Sequence, residues 1–180
     1  MKSANGLFTS TNSQKILSFL ADNPSQEFLA REIQKDVSIS RAGVYIALCD
    51  LVKQGVVLKK QKGKFLLYCS NYDDPVVKQF KVLKNVLLLR PALSELKALS
   101  KKIILYGSAS RGEDTGNSDI DLFIVSGEPQ AAKERLVSLK IKRKIQAVIK
   151  TPVELTEFKA KEQIFLREVD RGILLWEKKE

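Results

Sequence analysis

An α/β fold of the α+β kind, in two small domains, is what this sequence predicts, and three observations carry the prediction. Residues 12–70 show three helical periodicities followed by two short strand patterns around a glycine. Residues 71–100 hold one long apolar stripe with a proline near its end. From residue 101 onward strand-like and helix-like runs alternate, the mark of a small mixed sheet with helices packed on it. At 180 residues the chain can fill two modest cores, or one core with an appendage.

Ser13 to Ala21 reads as a short helix with Ile16, Leu17 and Leu20 on one face. After Asn23-Pro24, Gln26 to Lys35 reads as a second helix, with Phe28, Leu29 and Ile33 inward. Ser38-Ile39-Ser40 supplies a turn and an N-cap for a third helix running through Gln54. Its apolar set, Val44, Leu48, Leu51 and Val52, has the spacing of a core-facing stripe, and Gly55 ends it. Cys49 in this helix is expected in the core. Two strands, 56–60 and 64–68, then flank Gln61-Lys62-Gly63 as a basic hairpin.

Asp73-Asp74-Pro75 opens a helix reaching about Leu89, with Val76, Val77, Phe80, Leu83, Leu87 and Leu88 as its stripe. Pro91 is expected to interrupt it, and a shorter helix carrying Leu93, Leu96 and Leu99 to follow. That much apolar surface needs a partner, either the second domain or a copy of itself in a homodimer. Residues 71–100 thus read as a helical linker and possible dimerisation element between domains at 12–70 and 101–180.

Ile103-Ile104-Leu105-Tyr106 reads as a buried strand that ends in Gly107-Ser108. Ten residues later come Asp119-Ile120-Asp121-Leu122, continuing as Phe123-Ile124-Val125. Alternate residues of an extended strand face the same way, so Asp119 and Asp121 project together. Two carboxylates at the start of a core strand cost desolvation and mutual repulsion unless a cation or donors compensate. Mg2+ carried in with substrate phosphates needs little more protein than such a pair. Gly107 permits a tight approach, and the amides around Ser108 can receive an anion. Glu113 and Asp114 are expected as surface loop acids, and Ser118 as a cap or brace of the loop. Pro129 to Leu139 reads as a helix, 144–149 as a strand, 154–171 as helical in one or two pieces, and Ile173 to Trp176 as a closing strand.

The run Gly107-Ser108, ten residues, Asp119-Ile120-Asp121 resembles the signature of the nucleotidyltransferase superfamily, which includes DNA polymerase beta, kanamycin nucleotidyltransferase and the minimal nucleotidyltransferases. The likeness covers about residues 95 to 160. It implies a small mixed sheet, a nucleoside triphosphate (ATP first among candidates) and Mg2+ or Mn2+ as cofactors. It further implies Asp119 and Asp121 as catalytic and metal-ligating residues, with Gly107, Ser108 and Arg111 at the phosphates. Arg111 reads equally as a solvated loop arginine. The family's third carboxylate lies on a following antiparallel strand, where this chain has Gln146, a neutral amide that is a poor general base. Glu154 or Glu157 could replace it only if the helix after Thr151-Pro152 folds back. Minimal members of the family often serve as antitoxins that adenylylate a small helical toxin, so a protein acceptor or toxin partner is a further expectation.

Three helices and a hairpin over 12–70 resemble the winged helix-turn-helix domains of prokaryotic transcription regulators. The resemblance implies DNA binding through Ser40, Arg41 and Tyr45 at the third helix and Lys59, Lys60, Lys62 and Lys64 at the hairpin. Such domains also serve as dimerisation modules, and a lysine run can be a solvated face.

Thirty-one basic against twenty-one acidic residues give a net charge of +10, consistent with a polyanionic partner. Residues 1–100 hold fifteen basic and eight acidic side chains, so most of the excess lies in the first half. Lys140, Lys142, Arg143 and Lys144 form another basic run, read first as a solvated helix end and otherwise as a hold on a nucleic acid or an acidic protein. The chain contains no histidine, which excludes a histidine base, and its two cysteines offer neither a zinc set nor a disulfide framework. With no apolar run of membrane-spanning length and no signal-like start, the expectation is a cytoplasmic protein without membrane contact. The first ten residues are mostly small or polar and are expected to be disordered. A transferase, a nucleotide-sensing DNA-binding regulator and an inactive structural module all stay open.

Overall fold

The computed structural model describes residues 11–179, so the expectation for the first ten falls outside the described residues. The chain divides into two compact units, 1–81 and 82–180. The first contains α1 (Asn12–Asp22), β1 (Phe28–Leu29), α2 (Ala30–Val37), α3 (Arg41–Lys53), β2 (Val57–Lys62) and β3 (Phe65–Ser70). Thr11 and Gln14 close a capping box at the start of α1, and the Ser40 hydroxyl accepts from the Gly43 amide at the start of α3. Ile16, Leu20, Ile33, Val44 and Leu48 meet in a core closed by Val57 and Tyr68. The strands form an antiparallel sheet in the order β1-β3-β2.

Two expectations in this unit are corrected. The second helix begins at Ala30 rather than Gln26, because Phe28 and Leu29 are extended and pair with Tyr68 and Leu67. The Glu32 carboxylate then accepts from the Leu29 amide at 2.8 Å and fixes the later start. Cys49 is exposed, not core. The inward face of α3 is Val44, Ala47, Leu48 and Leu51, and Cys49 lies off it.

Helix α4 (Pro75–Leu96) runs through Pro91 without ending there. Proline removes one backbone donor from the ladder, and burial on both sides of it offsets the loss: Leu89, Ala92, Leu93 and Leu96 are all in the second core. Val77 and Phe80, near the other end, pack in the first core, so the stretch read as a linker is divided between the two units. Val76 is 62 % exposed, which removes it from the predicted stripe.

The second unit continues with β4 (Ser100–Tyr106), α5 (Ser108–Arg111), β5 (Ile120–Ser126), α6 (Pro129–Ser138), β6 (Ile145–Lys150), α7 (Pro152–Lys161), α8 (Gln163–Asp170) and β7 (Ile173–Glu177). Its sheet has the order β6-β5-β4-β7. Strand β4 is antiparallel to both β5 and β7. Strand β6 is parallel to β5, which corrects the antiparallel strand expected there. A parallel neighbour needs a crossover, and α6 supplies it.

Alternate residues of β4 and β5 feed two cores. Ile103, Leu105, Ile120, Leu122 and Ile124 pack with α4 and α6, whereas Ile104, Tyr106, Phe123 and Val125 pack with α7 and α8. The architecture is mixed α and β, with helices on both faces of a small mixed sheet. Among the described residues no helix is long and apolar enough to cross a membrane.

Candidate functional site

The site forms where β4 ends and β5 begins. Tyr106 and Asp121 are ladder partners, and on the other side of Asp121 stands Gln146 of β6. Gly107 follows Tyr106 with φ 69°, in the left-handed region that favours glycine. A methyl group added to Gly107 would lie 2.5 Å from the Asp121 Oδ2. The missing side chain is therefore the space that the carboxylate occupies.

After Gly107 the chain makes the single turn of α5. The Ser110 hydroxyl donates to the Gly107 carbonyl at 2.7 Å, and the Glu113 amide donates to the Ser108 carbonyl at 3.0 Å. Ser108 is half-buried, and its hydroxyl has no partner among the described residues. The turn is thus tied by its backbone, leaving the Ser108 oxygen available to a ligand.

Asp121 is half-buried, and burial together with the neighbouring Asp119 charge raises its pKa above the ordinary carboxylate value. The same burial, and the charge of Asp121, raise the Tyr106 phenol. Asp119 lies just before the first paired residue of β5, and its Oδ2 accepts from the Lys144 ammonium at 2.8 Å. Lys144 is fixed nearby because the Ile120 amide donates to its carbonyl at 2.9 Å. The ion pair raises the Lys144 pKa.

Behind the carboxylates the loop 112–119 is anchored by buried polar contacts that the sequence reading missed. Asp114 is 3 % exposed, not a surface acid. It accepts from Asn85 of α4 at 3.2 Å and from Arg143 at 2.6 Å. Arg143 also donates to Asn85 and, at 2.6 and 2.9 Å, to the Ser118 carbonyl. Asn85 in turn donates to the Ala109 carbonyl at 3.0 Å. Arg143 is accordingly a part-buried brace rather than a solvated helix end, and Ser118 braces the loop by accepting from the Thr115 amide. The available signal was an asparagine on an apolar helix face and an arginine in a basic run, neither of which names its partner.

Arg111 is exposed, and its guanidinium is engaged by two acids in this arrangement. It is bound by Glu113 at 2.7 Å and by Glu168 of α8, and these two acids raise its pKa. Glu168 had no motif to announce it. Glu154 is occupied elsewhere: it closes a capping box with Thr151, whose amide donates to it at 2.7 Å. Strand β6 ends far from Asp121, but α7 and α8 return across the sheet, where Phe158 packs on Phe123 and Phe165 on Tyr106. Among the described residues neither Glu154 nor Glu157 joins Asp119 and Asp121 in a group able to hold a metal ion.

Among the described residues no group of three or more acidic or cysteine side chains gathers to hold a metal ion. The donor set is Asp119 and Asp121, with Gln146 beside them on the adjacent strand. Two carboxylates suit a hard divalent cation that arrives with phosphate oxygens, and do not suit a cage made wholly of protein. The raised pKa of Asp121, due first to burial and then to the Asp119 charge, fits the same conclusion, since a cation would offset both.

The residues expected at DNA lie in the first unit. Ser40 is used as the N-cap of α3, Arg41 is exposed and Tyr45 is 68 % exposed. Lys59, Lys62 and Lys64 are exposed on the β2–β3 hairpin, and Lys60 is held at 2.7 Å by Glu27.

Residues 92–180 match the family model described as Polymerase beta, Nucleotidyltransferase. No curated protein matches the chain.

Proposed function

Starting from a nucleotidyltransferase-fold domain over residues 92–180, we propose that the protein binds a nucleoside triphosphate together with Mg2+ or Mn2+ at Gly107, Ser108, Asp119 and Asp121. We propose further that it acts as a nucleotide-responsive DNA-binding regulator. The observation that carries this reading is Gln146, opposite Asp121 in the β5–β6 ladder, where a transferase of this type needs its third carboxylate.

Nucleotidyl transfer requires an acceptor hydroxyl to attack the α phosphorus, form a new P–O bond and expel pyrophosphate, while its proton passes to a base. When bound, a divalent cation would neutralise the triphosphate and orient it for in-line attack. Asp119 and Asp121 can hold that cation, and Ser108 can donate to a phosphate oxygen. Glutamine cannot take the acceptor's proton, because its amide is neutral and very weakly basic. Binding is thus supplied with the groups it needs, while the proton step is not.

DNA binding is assigned to the first unit, read as a winged helix with α3 at the major groove and the lysine hairpin at phosphates. A second reading, transfer to a protein or toxin-like acceptor, is favoured by the intact Gly-Ser and Asp-x-Asp half of the site.

Labelled ATP, CTP, GTP and UTP, offered with Mg2+ or Mn2+ to wild type and to the Asp119→Ala/Asp121→Ala variant, test the proposal. Saturable binding that the double variant loses is the expected result. Label carried onto the protein or onto an added acceptor by wild type establishes the second reading instead. In the absence of such label, Gln146→Asp should raise transfer by about 100-fold or more if the missing base is the obstacle. No binding of any nucleotide overturns both readings.

A further inference from the structure

The ion pair between Lys144 and Asp119 has a role in the nucleotide site that neither the fold nor the signature assigns. Asp119 and Asp121 are close enough for the charge of one to raise the pKa of the other, yet Lys144 engages Asp119 through Oδ2. That oxygen belongs to the pair that would hold a cation. Arg143, the neighbouring cation, is committed to Asp114, Asn85 and the Ser118 carbonyl, and is part-buried. Lys144 differs from it in both respects. Its side chain is 75 % exposed, its ion-pair partner is Asp119, and it carries a compact charge on a flexible stem. The hydrogen bond from the Ile120 amide to the Lys144 carbonyl fixes the base of that stem while the ammonium is free to move. An exposed pair of this kind is weak, so leaving it costs little.

We propose that Lys144 couples cation entry to nucleotide entry, holding Asp119 while the site lacks nucleotide and moving to the triphosphate when nucleotide arrives, which opens Asp119 to the divalent cation. The inference rests on the nucleotide-binding reading above. It makes Lys144 a ligand to nucleotide and a competitor of the metal at once, so its removal must change the two affinities in opposite directions.

The test is Lys144→Met in the full chain, with two probes. Mn2+ alone is titrated by electron paramagnetic resonance, which counts the free ion. A labelled ATP analogue with a methylene between the α and β phosphorus atoms, which cannot be transferred, is measured by equilibrium dialysis at saturating Mn2+. The variant should bind Mn2+ about 2- to 5-fold more tightly and the analogue more weakly by a similar factor, given the usual strength of an exposed pair. Lys144→Arg, which keeps the charge, should move both affinities back toward wild type, and Lys142→Met, at an exposed neighbour, should change neither. A change of both affinities in the same direction, or of neither, in a protein whose wild type binds both probes overturns the coupling alone. Failure of wild type and variant alike to bind Mn2+ or the analogue overturns the nucleotide reading and the coupling with it.

Discussion

Gly107 and Asp121 define one contact from two sides. The glycine's positive φ and its lack of a side chain let the carboxylate sit where a Cβ would be, 2.5 Å away if one were added. Gly107→Ala should therefore destabilise the protein by about 1–2 kcal/mol, through backbone strain and displacement of Asp121. Urea denaturation reads the loss, and nucleotide binding should fall with it. Gly127→Ala, where a Cβ meets nothing within 4 Å, should be nearly neutral. Asp121 also predicts a pH effect. Burial and Asp119 raise its folded pKa above the unfolded value, so folding favours the protonated form. That contribution is complete below the unfolded pKa and is lost as pH rises through the folded pKa. In metal-free buffer, Asp121→Asn should match wild type in thermal stability near pH 3 and exceed it near pH 7. A gap that narrows as pH rises would show that the carboxylate is stabilising in the folded state instead.

The elements explain why such residues meet, and how far the sequence could say so. The strand–turn–strand core was legible, because buried apolar runs bracket both halves of the signature and neighbours along one chain need no further information. Strand β6 was legible in position and not in direction, since apolar alternation is the same whichever way a strand runs. The late start of α2 depends on Phe28 and Leu29 pairing with residues about forty positions on, and the passage of α4 through Pro91 depends on burial that local propensity does not contain. Asp114 is the sharpest case. Its partners Asn85 and Arg143 lie twenty-nine residues away on either side, on α4 and just before β6. This network joins three segments at low exposure, so removing one partner leaves the other charge buried and uncompensated. Arg143→Met should cost about 3 kcal/mol in urea denaturation, and Arg143→Met with Asp114→Leu should cost less than the single change. Equal or greater loss in the double variant would mean that packing, rather than charge, accounts for the effect.

Over the whole molecule, the net charge of +10 is unevenly placed, and the hairpin of the first unit holds four of its lysines within six residues. If these meet phosphates, the slope of log affinity against log salt for duplex DNA should decrease by about 1 for each contacting lysine removed. Lys60 differs from the others because Glu27 already neutralises it. Alanine at Lys59, Lys62 or Lys64 should thus lower the slope more than alanine at Lys60, in titrations across a range of salt. Equal slopes for all four variants would count against the hairpin as the DNA contact.

Parallel pairing of β5 with β6 also separates two ends of the second unit. The carboxylates stand at the beginning of β5, and the chain leaves for α6 at the other end, through Gly127, six residues beyond Asp121. At the usual rise of an extended strand, that is about 20 Å. A cysteine placed at 127 could carry a dye without crowding the carboxylates, after the exposed Cys49 has been replaced. If the carboxylates take a nucleotide, a fluorescent analogue bound there would fall within energy-transfer range of residue 127, so the remote end of the sheet is the natural place from which to watch for its arrival.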